Sequence, residues 1–290
     1  MSVSGARSFL SGRTAIIAGN GVLPISVAQA LEKDGQNPFL ILLRGEADTV
    51  LYRYEHCELS IVELGRLIKI LKTAGICNIV LAGGVRKRPL ITQLRFDWTT
   101  FLALPQLIRA LGGGDDALLK AFIRFIEARG FCVIGAHEIV PDLLAPIEFN
   151  LTLRRATQKE KKDIFLAVEA AKLLGRLDIG QAAVAINGRV VAVEGAEGTD
   201  NMLWRVCEMR ERGQIPPKGG VLVKCAKPQQ DHRVDLPSIG PATIMNIAKS
   251  RLSGIAVEAN KSLILSVKTT VEKANKYSLF IETFEKFDHE

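Results

Sequence analysis

The 290 residues contain no Cys-x-x-Cys pair, no zinc-ligand spacing of histidine and cysteine, and no Gly-x-Ser-x-Gly nucleophile elbow. The five cysteines (Cys57, Cys77, Cys132, Cys207, Cys225) are odd in number and widely scattered. That excludes a disulfide framework and predicts a reducing compartment. Also absent are the apolar core of a secretory leader and any uncharged apolar run near the ~20 residues of a spanning helix. The chain is therefore expected to be cytoplasmic, meeting a membrane at its surface at most. It has no internal repeat and no low-complexity tract.

What is present is the balance of a folded chain, with 48% apolar and 24% charged residues. The length suggests two domains. Lys and Arg number 38 against 31 Asp and Glu, a formal net charge of +7, which favours anionic partners. The basic cluster Arg154, Arg155, Lys159, Lys161 and Lys162 is not interleaved with aromatics. It reads as a solvated helix face, and no nucleic-acid partner is expected.

Strands alternate with helices over the first half, which predicts a Rossmann-like parallel sheet covered on both faces. Thr14–Ala18 reads as a strand, breaks at Gly19-Asn20-Gly21, and leads into a helix opened by Pro24. Further strands are predicted at Pro38–Leu43, Asn78–Ala82 and Phe131–Gly135. Ser60 and Glu63 have the spacing of a capping box, with Ile61, Leu64, Ile68 and Leu71 as the apolar stripe of the helix that follows. A helix is also predicted from the Gly112–Asp116 turn to Arg129. Two prolines and a loss of periodicity between residues 139 and 158 place a boundary there, giving domains 1–145 and 146–290.

The second half reads as mixed α/β. Asn187-Gly188 signals a tight hairpin between Ala183–Ile186 and Val190–Glu194. Helices are predicted from about Lys159 to Leu174, from Gly198 to Arg212 and from Gly240-Pro241 to Arg251. Strands are predicted at Val221–Cys225, Ile255–Glu258 and Leu263–Ser266, with a last apolar run at Ser278–Ile281.

Three glycine-rich turns follow strands in the first half. At Gly19-Asn-Gly21-Val-Leu-Pro24 the glycines serve either a tight turn or the approach of backbone N–H groups to a phosphate. Pro24 replaces the third glycine of the dinucleotide fingerprint, and Arg44 stands where an acidic ribose partner would be, which argues against an NAD(P) oxidoreductase. Gly83-Gly-Val-Arg-Lys-Arg88 places three cations at a strand end. Gly114-Asp115-Asp116 offers carboxylates that a helix cap would also explain.

The densest chemistry lies in Lys224-Cys-Ala-Lys227-Pro-Gln-Gln-Asp231-His232-Arg233-Val-Asp235-Leu-Pro237-Ser-Ile-Gly240-Pro241, a polar loop leaving a strand and punctuated by prolines. Paired carboxylates interleaved with cations suit a diphosphate: one or two carboxylates hold Mg²⁺ against the phosphates, while Lys and Arg neutralise charge on the departing group. A second acidic knot runs from Glu194 to Asp200, where Thr199 or Asp200 acts either on the same ligand or as a helix N-cap. His137-Glu138 reads as a proton relay or, more simply, as structural hydrogen bonding.

Taken in order, the blocks AGNGVLP (Ala18–Pro24), AGGVRKRP (Ala82–Pro89), GDDALL (Gly114–Leu119), GAHEIVPDLLAP (Gly135–Pro146), RLDIGQAAV (Arg176–Val184), VEGAEGTDNML (Val193–Leu203), KPQQDHRVDLPSIGPATI (Lys227–Ile244) and GIAVEANKSLIL (Gly254–Leu265) resemble one family. It is that of the two-domain bacterial UDP-2,3-diacylglucosamine pyrophosphatases of lipid A biosynthesis. The resemblance implies hydrolysis of the substrate diphosphate to UMP and 2,3-diacylglucosamine 1-phosphate, with Mg²⁺ required. It carries the family's important aspartate over to Asp235 and places Asp231 in the same stretch. Asn20 and Asn260 stand where many members carry glycine.

The site so expected comprises Asp235 and Asp231 as catalytic groups and Asp235 with Asp200 as metal ligands. Gly19, Gly21, Leu23, Pro24, Gly83, Arg88, Thr199, Lys224, Lys227 and Arg233 are its substrate-binding residues, with the first domain closing over an acyl groove. Peripheral contact with the inner membrane and a homodimer are further expectations. A non-catalytic nucleotide- or lipid-binding regulator on the same scaffold is the alternative.

Overall fold

A computed structural model describes residues 12–60, 62–85, 115–147 and 150–285. The chain divides into two compact units, Met1–Pro141 and Asp142–Glu290.

The first unit is built on five parallel strands: β1 (Arg13–Ala18), β2 (Phe39–Leu43), β3 (His56–Leu59), β4 (Ile76–Ala82) and β5 (Cys132–Ile134). Their order is β3-β2-β1-β4-β5, so the chain reverses direction across the sheet between β1 and β4. Helices α1 (Val22–Lys33), α2 (Leu64–Thr73), α3 (Asp115–Glu127) and the short α4 (Ala136–Ile139) connect them. β1 and β2 are apolar and buried almost throughout, as strands covered on both faces must be. Ile16 and Ala18 join Val27 and Leu31 of α1 in one core with Leu40, Leu42 and Val80.

One expectation needs correction here, and one strand was not anticipated. α2 begins at Leu64, not just after Ser60, and only half of the capping box forms: the Glu63 carboxylate accepts the Ser60 N–H at 2.8 Å. That bond, with Arg66 and Arg44 nearby, holds Glu63 below the usual carboxylate range against the opposing effect of burial. Strand β3 is a second difference, since the edge sequence His56-Cys57-Glu58-Leu59 shows too little apolar character to announce itself.

The second unit has a mixed sheet in the order β12-β10-β8-β6-β7, formed by β6 (Ala182–Ile186), β7 (Arg189–Val193), β8 (Val221–Lys224), β10 (Gly254–Glu258) and β12 (Phe280–Phe284). β8, β10 and β12 run parallel, while β6 is antiparallel to both β7 and β8. Alternation along β6 divides its side chains between two cores. Ala183 and Ala185 face α5 (Gln158–Arg176), whose Ala167 and Ala171 let helix and sheet approach closely. Val184 and Ile186 face the opposite layer of α6 (Gly198–Glu211), α7 (Pro241–Lys249) and α8 (Val267–Lys276).

The predicted hairpin is present, with Asn187 and Gly188 at φ 54° and 77°, the left-handed pair a type I′ turn requires. Asn260, expected to replace a glycine, also has positive φ (57°). Two short strands, β9 (Ser238–Ile239) and β11 (Leu263–Ile264), pair separately. β9 has no sequence signature, and β11 stops short of Ser266, which turns left-handed ahead of α8.

Candidate active site

The carboxyl end of β8 gathers the polar groups of the second unit. Its apolar run ends in Lys224, whose side chain is buried and whose Nζ donates to the Ser238 carbonyl of β9 at 3.2 Å. Burial pushes the Lys224 ammonium down from its ordinary pKa, opposed by the charges of Glu194, Asp200 and Asp235. One cation therefore lies in the field of three carboxylates from separate segments.

Each of those segments is anchored. Glu194, just past β7, accepts the Gln181 backbone N–H at 2.9 Å and the Thr199 hydroxyl at 2.6 Å. Asp200 accepts the side-chain amide of Asn246 on α7 at 2.8 Å. Thr199 and Asp200 thus lie within the first turn of α6, and neither is its N-cap: Glu197 takes that position without a side-chain bond. Glu258, at the end of β10, accepts the Ala226 N–H at 3.3 Å and the Lys261 ammonium at 2.8 Å.

The acidic turn after β8 is organised by Asp231. The Arg233 guanidinium meets its carboxylate in a fork, Nε to Oδ1 at 3.0 Å and Nη2 to Oδ2 at 2.8 Å, and the Arg233 N–H adds a bond at 3.1 Å. The Asp231 carbonyl accepts the Val234 and Asp235 N–H groups. The Asp235 carboxylate accepts the side-chain amide of Gln230. Lys227, expected to face a phosphate, is engaged with Asp178 at 2.6 Å and largely buried. Its ammonium fastens the loop to the end of α5.

In the first unit the glycine turns after β1 and β4 bind each other. The Gly19 N–H donates to Ala82, and Asn20 and Gly84 exchange backbone bonds at 2.9 and 3.0 Å. A Cβ on Gly19 would lie 2.2 Å from the Gly84 carbonyl oxygen, and one on Gly83 2.5 Å from that of Asn20 and 2.8 Å from Pro24. Here glycine serves the close approach of two turns. The Asn20 amide braces them by donating to Gly84 and Glu46 at 2.8 and 3.1 Å. Gly21, at φ 99° and ψ −176°, opens α1, and Leu23 packs on the core. Glu138 accepts the Gly135 N–H at 2.8 Å ahead of α4, a structural bond. Arg88 and Gly114 lie outside the described residues, as do the side chains of Asp115 and Asp116.

Comparison with known proteins decides the family. The LpxI N-terminal domain matches residues 13–143 and the LpxI C-terminal domain residues 148–282. The UDP-2,3-diacylglucosamine pyrophosphatase LpxI of Caulobacter vibrioides is 39% identical over 268 residues, 92% of this chain and 95% of that protein. The chain belongs to the LpxI family. Likeness to solved structures is slight. The biotin carboxylase domain of Hydrogenobacter thermophilus 2-oxoglutarate carboxylase is 12% identical, with 70% of this chain and 42% of that one covered and a TM-score of 0.28. An isoflavone reductase is 13% identical, with 95% and 79% covered and a TM-score of 0.29. Neither carries an argument about this LpxI-family fold.

Sequence reading missed Gln230, Asp178 and Asn246. Asn246 lies 46 residues from Asp200 and Asp178 lies 49 from Lys227, so no spacing rule connects them. Gln230 stood inside the marked loop but carries no charge to draw notice.

Proposed function

We propose that this LpxI-family protein hydrolyses the diphosphate of UDP-2,3-diacylglucosamine to UMP and 2,3-diacylglucosamine 1-phosphate. The observation that carries this reading is the buried Lys224, bonded to the Ser238 carbonyl and lying in the electrostatic field of Glu194, Asp200 and Asp235, in a chain so similar to the Caulobacter pyrophosphatase. Water adds to one phosphorus as the bond from that phosphorus to the bridging oxygen breaks, and the proton lost by water is taken up by a neighbouring carboxylate. Asp235 is our choice for that region of the site, with Asp231 and Arg233 shaping the turn that presents it. Lys224 supplies positive charge where negative charge collects on the leaving phosphate.

Mg²⁺ fits the donor set. Asp200 and Asp235 are hard oxygen donors acting on the same Lys224 ammonium, and Mg²⁺ usually takes one or two protein carboxylates and completes its shell with phosphate and water. Among the described residues no three His, Cys, Asp or Glu side chains form a metal cage. When bound, Mg²⁺ would neutralise the phosphate oxygens. Asp235 and Asp200 are the residues that would hold it.

A lipid substrate brings the protein to a bilayer. No described helix is long and apolar enough to cross a membrane. The outer side of α5 exposes Leu173 (53%), and Leu177 (71%) is exposed just past its end at Arg176, with Lys161 and Lys162 at the other end, a combination suited to an anionic lipid surface. Sedimentation with phosphatidylglycerol vesicles that fades as salt rises supports peripheral contact there; equal binding to neutral vesicles argues against it.

The reading is tested with purified full-length protein and UDP-2,3-diacylglucosamine in detergent micelles. UMP is released with Mg²⁺, and Asp235→Asn lowers kcat by roughly a thousandfold. No release from folded protein with any of several divalent metals sinks the enzyme reading and leaves the binding-protein alternative.

A further inference from the structure

Gln230 is buried, 7% exposed, and both ends of its side-chain amide are in use. Oε1 accepts the Lys227 backbone N–H at 3.1 Å and Nε2 donates to Oδ2 of Asp235. The orientation follows from the partners. A backbone N–H can only donate, so the amide oxygen faces it, and the –NH₂ is left to face a group that accepts.

Behind Gln230 the loop is pinned to the last turn of α5 and the residues just after it. Lys227 Nζ meets Asp178 at 2.6 Å, and Gln229 Nε2 donates to the Gly175 carbonyl at 2.6 Å. Pro228 packs so near that a Cβ on Gly175 would lie 3.2 Å from its Cδ. The Gln230 N–H donates back to the Lys227 carbonyl at 3.1 Å, closing the turn. A continuous set of contacts therefore runs from the α5 end through Lys227 and Gln230 to the Asp235 carboxylate.

We propose that Gln230 is the positioning residue of Asp235, holding the plane of its carboxylate from the rigid end of α5 before substrate arrives. The inference rests on the reading that Asp235 acts in the reaction. The Gln230 amide fixes one oxygen of that carboxylate, and misplacement of a reacting group by an ångström can cost about a hundredfold in rate. The requirement is for an N–H donor on a side chain of this length. Glutamate keeps the acceptor for Lys227 but turns an oxygen toward Asp235, whereas leucine keeps the bulk and removes both bonds.

The test compares Gln230→Leu and Gln230→Glu in the full chain. Both are expected to lower kcat about 30–100-fold with KM changed less than about threefold, Gln230→Glu being the worse. In an Asp235→Ala background, which removes the acceptor altogether, Gln230→Leu should alter neither the residual rate nor the substrate affinity measured by calorimetry, because its influence runs through the missing carboxylate. Wild-type kcat in either folded single variant overturns the proposal, as does an undiminished further loss in the Asp235→Ala background. If Gln230→Leu does not fold, Gln230→Glu decides by the same criteria; if neither folds, Gln230 is a folding residue and the proposal is overturned. The two readings fail separately: an active Asp235→Asn protein removes the role of Asp235, whereas an inactive one beside an unimpaired Gln230→Leu removes only the role of Gln230.

Discussion

Asp163 sits 24 residues from the turn it closes. Buried on the inner side of α5, its carboxylate accepts the N–H groups of Asn187 and Gly188 at 3.0 and 2.6 Å, the two central donors of the β6–β7 hairpin. The turn itself was legible, because Asn-Gly tolerates the two left-handed residues a tight hairpin demands. Its acceptor was not, since a buried aspartate in an amphipathic helix carries no mark of what it will meet across the sheet. Asp163→Ala leaves two donors short of a partner while the hairpin stays in place, and we expect a loss of about 2 kcal/mol in urea unfolding. Asp163→Asn should recover less than half of that, having one acceptor oxygen in place of two. Turnover per folded molecule should be unchanged in both, which separates this carboxylate from Asp235.

Among the elements, those with strong periodicity were readable and those defined only by partners were not. β1, β2, β4, α1 and α5 follow from apolar runs, glycine turns and capping residues. β3 and β9 exist because a neighbouring backbone is within reach, and the order β3-β2-β1-β4-β5 is a property of packing that local sequence does not state. The glycines at the ends of β1 and β4 show why a correctly read turn can still be given the wrong reason. Gly19 is needed because the Gly84 carbonyl lies where its Cβ would be, whereas Gly21 has open space and is needed for its backbone angles. Gly19→Ala must push two turns apart and should cost about 2–4 kcal/mol. Gly21→Ala meets no atom and should cost about 1–3 kcal/mol from conformation alone. Thermal unfolding followed by circular dichroism ranks the two. A larger loss at Gly21 would mean that the bonded turns separate easily.

For the molecule as a whole, the candidate site belongs to the second unit, and its contiguous part, Lys224 to Asp235, was legible because five charged side chains and a proline were crowded into twelve residues. The supports contributed by Asp178, Asn246 and Gln230 became visible only with the fold. The start of that unit is equally a matter of contacts. Ala145 is fully buried, its N–H donates to the Ser262 carbonyl at 2.8 Å, and its carbonyl accepts the Asn260 N–H at 2.9 Å. Leu144 bridges to Leu263 beside it. These bonds hold the 258–264 turn, which in turn pairs with β9 and so adjoins the Ser238 carbonyl that receives Lys224. A fragment beginning at Asp142 should therefore unfold cooperatively in denaturant, because it retains both layers of core around its own sheet. A fragment beginning at Ile147 loses two backbone hydrogen bonds and the burial of Ala145, and should be less stable by about 2 kcal/mol. Equal midpoints for the two would show that the 144–146 segment is not part of the second unit, and that the 258–264 turn holds its shape without it.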